Sequence, residues 1–126
     1  EVIAAALKQA PDIAAANFNM GLLKADKNEP KQAEKYLKKA FKADPQMAQA
    51  AYNLCIITAR DRINEAVKWC RKAADLRPQD PRYAYTLAFY LNQKGDKDGA
   101  IKTLKPIVDK YPKYKDAELL LKEMSE

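Results

Sequence analysis

Apolar side chains return along this chain at intervals of three and four, the spacing of amphipathic helices. The pattern is plainest at Ala33, Tyr36, Leu37, Ala40 and Phe41, with Lys31, Lys35, Lys38, Lys39 and Lys42 on the opposite face. It predicts a helix from about Pro30 to Ala43. Pro30 suits the first turn, where its missing N–H is not needed, and Asn28 or Glu29 is the expected cap. Another helix is predicted from about Ala14 to Ala25, with the stretch DKNEP as the turn between the two. Further on, Ala51, Leu54, Cys55 and Thr58 define one apolar stripe and Ala66, Trp69, Cys70 and Ala73 define the next. Trp69 is expected to anchor packing between neighbouring helices. Gly95 and Asp96 mark a later turn. Pro106 falls inside a helical pattern, where it removes a backbone hydrogen bond at a cost of about 3 kcal/mol in an ordinary interior. A local bend from Lys102 to Pro106 is therefore expected. The tail from Lys115 to Ser125 is one more amphipathic helix, with Ala117, Leu120, Leu121 and Met124 on its apolar face.

These elements recur in register. Pro11, Pro45, Pro78 and Pro112 are separated by 34, 33 and 34 residues. Ala33, Ala66 and Ala100 form a second series, Gly21, Cys55 and Ala88 a third, and Met20, Leu54, Leu87 and Leu121 a fourth. Gly21 to Cys55 is 34 but Ala33 to Ala66 is 33, so the middle unit lacks one residue between Cys55 and Ala66. A turn lies there, and a deletion in a turn disturbs packing least. A fixed period of this length is the mark of a stacked helical repeat.

The recurring residues resemble the tetratricopeptide repeat, a helix-turn-helix unit of about 34 residues. Its small eighth position corresponds to Gly21, Cys55 and Ala88. The alanine at twenty is Ala33, Ala66 and Ala100, and the proline at thirty-two is Pro45, Pro78 and Pro112. The second alanine, at twenty-seven, is Ala40 and Ala73, with Ile107 in its place in the third unit. The tryptophan common at the fourth position is replaced by Asn17, Ala51 and Ala84. The resemblance implies an all-α, right-handed solenoid with units at 14–47, 48–80 and 81–114. Residues 1–13, with Ile3, Ala6 and Pro11 at repeat positions, read as the second helix of a preceding unit, so the chain is expected to be a piece of a longer protein. Residues 115–126 read as a capping helix, because Lys122 occupies the small eighth position and terminal repeats need a polar outer face.

In the family, the first helix of each unit lines a concave face. The fifth positions here are Phe18, Tyr52 and Tyr85, the sixth are Asn19, Asn53 and Thr86, and the ninth are Leu22, Ile56 and Phe89. Arg60, Arg82, Asn92 and Gln93 complete the rim. The resemblance thus implies an aromatic and aliphatic groove bearing side-chain amides, suited to a peptide backbone with apolar side chains between. Phe18, Tyr52 and Tyr85 also serve as packing residues in such units, so the ninth-position series is the more telling. The lysine and asparagine clamp with which some chaperone-binding members hold a terminal carboxylate does not carry over. Its positions are Phe18, Leu22, Asn53, Arg82 and Thr86, of which only Asn53 and Arg82 match.

Antiparallel helices of a unit set position eight against position twenty-four, which pairs Cys55 with Cys70. A disulfide is conceivable. Two buried thiols are the expectation, because packed helix axes lie about 8–10 Å apart and bridged Cα atoms within about 7 Å.

Composition narrows the function. The 126 residues suit one domain, and with 48% apolar residues and three Gly they suffice for a packed helical array. No apolar run approaches the roughly 18 residues of a membrane span. The formal charge is +6, but the lysines sit on outer helix faces mixed with Glu34, Asp44, Glu65 and Asp75, unlike the single basic face that phosphates require. There is no His, no glycine-rich phosphate loop, no nucleophile elbow and no metal-ligand cluster. No enzyme, cofactor or metal is therefore expected. The expected role is non-catalytic binding of a peptide segment or a partner domain, with end-to-end self-association as the alternative and nucleic acid ranked below both.

Overall fold

The computed structural model describes the backbone of residues 2–125 and the side chains of residues 13–125. Among the described residues there are seven helices and no strand: α1 (Val2–Asp26), α2 (Pro30–Ala43), α3 (Ala48–Thr58), α4 (Ile63–Leu76), α5 (Pro81–Gln93), α6 (Lys97–Lys110) and α7 (Lys115–Ser125). Each helix packs on the next in chain order, and α7 also touches α5. The architecture is an all-α helical repeat solenoid.

The turns explain the uneven spacing. In the first unit, Asn28 takes a positive φ of 60° and the Glu29 N–H reaches back to the Lys24 carbonyl at 2.9 Å. In the third, Gly95 has φ 97° and the Asp96 N–H reaches the Leu91 carbonyl at 2.8 Å. Both are left-handed C-terminal caps that satisfy an orphan carbonyl. The middle unit lacks a left-handed residue. Its shorter α3 ends at Thr58, and the Arg62 N–H closes the turn on the Thr58 carbonyl at 2.7 Å. The missing residue therefore falls in this turn.

Helix starts differ in how they are capped. Pro30 occupies the first turn of α2 and Glu29 precedes it, but the Glu29 side chain makes no capping bond. Asp80 and Asp96 do cap α5 and α6, accepting from the Arg82 and Gly99 backbone N–H groups.

The apolar stripes meet in three clusters. The largest joins Cys55, Val67 and Cys70 to Leu87, Leu91, Leu104, Ile107, Leu120 and Met124. Trp69 packs against all three clusters and meets Phe41 edge to face, with ring centroids 5.4 Å apart. It acts as the expected anchor. Small residues set the helix separation within each unit. A Cβ on Gly21 would lie 2.8 Å from Leu37 Cγ and 2.9 Å from its Cδ2, so α1 and α2 approach as closely as a glycine permits.

Two sequence expectations come out differently. Cys55 and Cys70 form a disulfide, with Cα atoms 5.2 Å apart. Comparing helix axes was the wrong test. A Cα lies about 2.3 Å from its axis, so two facing Cα atoms come about 4.6 Å closer together than axes 8–10 Å apart. Next, α1 continues through Pro11, and no turn separates a remnant helix from the first unit. An interior proline removes one backbone hydrogen bond without ending this helix. The repeat roles of Ile3, Ala6 and Pro11 lie outside the described side chains. Helix α6 runs from Lys97 to Lys110 with Pro106 inside it, so the proline does not end the helix. Pro106 and Lys102 are both exposed, so water can satisfy the Lys102 carbonyl.

One ion-pair network crosses the first unit boundary. The Arg62 guanidinium bonds both carboxylate oxygens of Glu34 and also Glu65 Oε2 at 2.7 Å. Lys38 adds a 2.8 Å contact to Glu34. The Arg62 hydrogen bond, aided by Lys38, pulls the Glu34 pKa down to about 2.

Candidate functional site

The face shared by the first helix of each unit carries two depressions. The first, about 210 Å³, is lined by Phe18 and Leu22 of α1, Gln49, Tyr52 and Asn53 of α3, and Arg82 and Tyr83 of α5. The second, about 300 Å³, is lined by Tyr85 and Phe89 of α5 with Asp116, Leu119, Leu120 and Glu123 of α7. These side chains converge because positions five and nine of each unit fall one helical turn apart, on one side of the helix.

The first depression is held rigidly. Tyr52 packs on buried Tyr83 with ring centroids 4.9 Å apart and planes tilted by 38°, and its hydroxyl lies 3.3 Å from Thr86 Oγ1. Burial, followed by the Asp80 charge, pushes the Tyr83 hydroxyl pKa up. Thr86 Oγ1 also donates to the Arg82 carbonyl at 2.9 Å. Arg82 grips Asp80 through both nitrogens, Nε to Oδ1 at 3.0 Å and Nη2 to Oδ2 at 2.7 Å. That pairing lowers the Asp80 pKa and raises that of Arg82. Asn53 donates to the Gln49 carbonyl at 2.8 Å, which leaves its amide oxygen for other partners.

The second depression is more open and more acidic. Phe89 is 38% exposed and Leu119 is 59% exposed. Tyr85 meets Tyr114 edge to face at 5.8 Å. Burial raises the Tyr85 pKa, and the Asp116 and Glu123 charges raise it further.

Of the ten residues singled out from the sequence, seven line these depressions: Phe18, Leu22, Tyr52, Asn53, Arg82, Tyr85 and Phe89. Asn19, Ile56 and Asn92 line neither, although all three face solvent, Ile56 at 37% exposure. Arg60 belongs elsewhere, in a hollow between units with Pro30, Glu34, Ile57 and Arg62. The reading of α7 as a cap missed Asp116, Leu119, Leu120 and Glu123. The run Leu119, Leu120, Leu121 was the available signal, since three consecutive leucines on an 11-residue helix cover more than one buried stripe. No group of three or more metal-ligating side chains occurs among the described residues, and none of the described helices is long and apolar enough to cross a membrane.

The sequence profile of the tetratricopeptide repeat matches residues 24–88, and the chain belongs to that family. No curated protein matches it in sequence. Among solved structures, it is similar to the N-terminal domain of stress-induced protein-1 (STI-1) from C. elegans, at 16% identity and a TM-score of 0.81, covering 93% of this chain and 98% of that one. It is also similar to the first tetratricopeptide domain of Spaghetti (RPAP3) bound to the HSP90 peptide SRMEEVD, at 16% identity and a TM-score of 0.82, covering 91% and 92%. A third similar structure is MamA, at 23% identity and a TM-score of 0.81, covering 94% of this chain and 70% of that one.

Proposed function

We propose that this chain is a non-catalytic protein-interaction module that holds a segment of a partner protein, or of another domain of its parent, along the face shared by α1, α3, α5 and α7. The observation that carries the proposal is the apolar exposure of the ninth positions. Ile56 and Phe89 are each more than a third exposed, on helices whose other apolar residues are buried or half-buried. Folding does not require apolar groups there, and contiguous exposed apolar surface marks contact sites. The similar RPAP3 domain is bound to an HSP90 peptide, which supports this reading.

The carboxylate clamp remains excluded from the proposal. Its only cation here, Arg82, is paired with Asp80, and Thr86 is buried.

The test compares capture of partners from a source lysate by the wild type and by a Leu22→Lys, Ile56→Lys, Phe89→Lys variant, with circular dichroism confirming the fold. A partner lost only by the folded variant supports the groove. Equal capture by both moves the site to the outer faces.

Self-association is the second reading, favoured by Ile13 and Leu23, which are 51% and 45% exposed on α1. Met20, 38% exposed, stands seven positions after Ile13 and three before Leu23, which joins the three into one broad helix face. Sedimentation across a concentration series distinguishes the two: a groove binder stays monomeric, and an end-stacking array gains mass that Leu23→Lys removes.

A further inference from the structure

The depression between α5 and α7 differs in charge from the rest of the molecule. Along α7, Asp116, Leu119, Leu120 and Glu123 stand at i, i+3, i+4 and i+7, so two leucines lie between two carboxylates on one stripe. Opposite them, Tyr85 and Phe89 supply aromatic surface. Leu119 has the greatest exposure among the large apolar side chains described. Neither Asp116 nor Glu123 forms an ion pair among the described residues. Lys115 instead contacts Glu118 at 3.3 Å, and Lys115, Glu118 and Lys122 project off the stripe. Arg82, the cation lining the neighbouring depression, is held by Asp80. An apolar floor with two uncompensated carboxylates on its rim therefore faces solvent on a chain whose formal charge is +6.

We infer that this depression takes a basic, apolar peptide segment, in which one large aliphatic or aromatic side chain seats against Phe89 and Leu119 and two flanking Lys or Arg side chains meet Asp116 and Glu123. This deepens the groove reading and rests on it. Seven helical residues span about 10 Å. An extended peptide covers that distance in about three residues, so the two cations stand about three positions apart with the anchor between them. The raised Tyr85 pKa, to which both carboxylates contribute, agrees with a negative potential over the aromatic floor. An acidic segment of the SRMEEVD kind would meet like charges here and gain no free cation from Arg82.

The test is fluorescence anisotropy with three labelled decapeptides at low salt. One carries Arg-Leu-Ser-Arg at its centre, the second replaces both Arg with Glu, and the third replaces the Leu with Gly. The first should bind, and added salt should weaken it by screening. Asp116→Asn with Glu123→Gln should weaken it about tenfold, and Leu119→Ser should weaken it without shifting the melting temperature. Binding of the first peptide that ignores both sets of substitutions overturns the inference, as does absence of binding by all three. If the acidic peptide binds instead and Phe89→Lys abolishes it, the groove reading stands and the charge assignment fails.

Discussion

Reducing the Cys55–Cys70 bridge should destabilise the protein by a predictable amount. The two residues are 15 apart in sequence, and closing a loop of that length removes denatured-chain entropy worth about 3 kcal/mol at 25 °C. For a chain of this size, 1 kcal/mol corresponds to a melting shift of about 3–5 °C. Reduction should therefore lower the melting temperature by about 10–15 °C. Both cysteines are fully buried, so reductant reaches the sulfurs only through opening of the fold. The protein is best reduced in denaturant, refolded with reductant present and then melted by circular dichroism. A Cys55→Ala, Cys70→Ala double variant is the control, expected to melt near the reduced wild type and to ignore reductant. Thiol titration of the untreated unfolded protein should find no free thiol. Two free thiols, or equal melting with and without reductant, would refute the bridge. Because the bridge ties α3 to α4, hydrogen exchange in those two helices should rise most on reduction.

Other perturbations reach different parts of the structure. Gly21→Ala should cost roughly 1–3 kcal/mol by forcing Leu37 out of its rotamer, and a further Leu37→Ala change should recover part of the close approach, measurable as non-additive denaturant midpoints. The folded-state pKa of Glu34 is depressed to about 2, so its stabilisation is complete above the unfolded pKa of about 4.3 and is lost as pH falls towards 2. The amount is roughly 1–2 kcal/mol, and Arg62→Gln should flatten the stability curve in that window, read by urea melts at pH 7 and pH 3. Phe89→Ala should leave the melting temperature nearly unchanged while weakening partner binding. Tyr52→Ala should also cost stability, about 2–4 kcal/mol, because its ring packs on Tyr83.

The units were legible because each recurring position answers a packing need. Ala33, Ala66 and Ala100 are all fully buried, and of the eighth positions Gly21 leaves no free room for a Cβ while Cys55 and Ala88 are fully buried. Packing of that kind depends on spacing along one chain, and spacing is visible in a sequence. Features that depend on distances between helices were harder to read. The bridge rests on a Cα separation of 5.2 Å that the distance between helix axes overstates. The second depression depends on α7 swinging beside α5, a placement that turns Leu119 and Asp116 from cap residues into groove residues. Pairing of Arg82 with Asp80 was hidden for another reason: the two lie two positions apart across a helix start, and no periodic pattern announces a capping carboxylate that also holds a guanidinium. The continuous α1 through Pro11 shows the converse limit, since a proline at a repeat position can lie within a helix as well as beyond its end.

Site-specific photo-crosslinking in living cells tests the central claim most directly, with benzoylphenylalanine replacing exposed Ile56 of α3 in one variant and exposed Lys39 of α2 in another. The account predicts a covalent protein adduct from position 56 that position 39 does not give. Adducts from position 39 alone would contradict it and move the working surface to the outer helices.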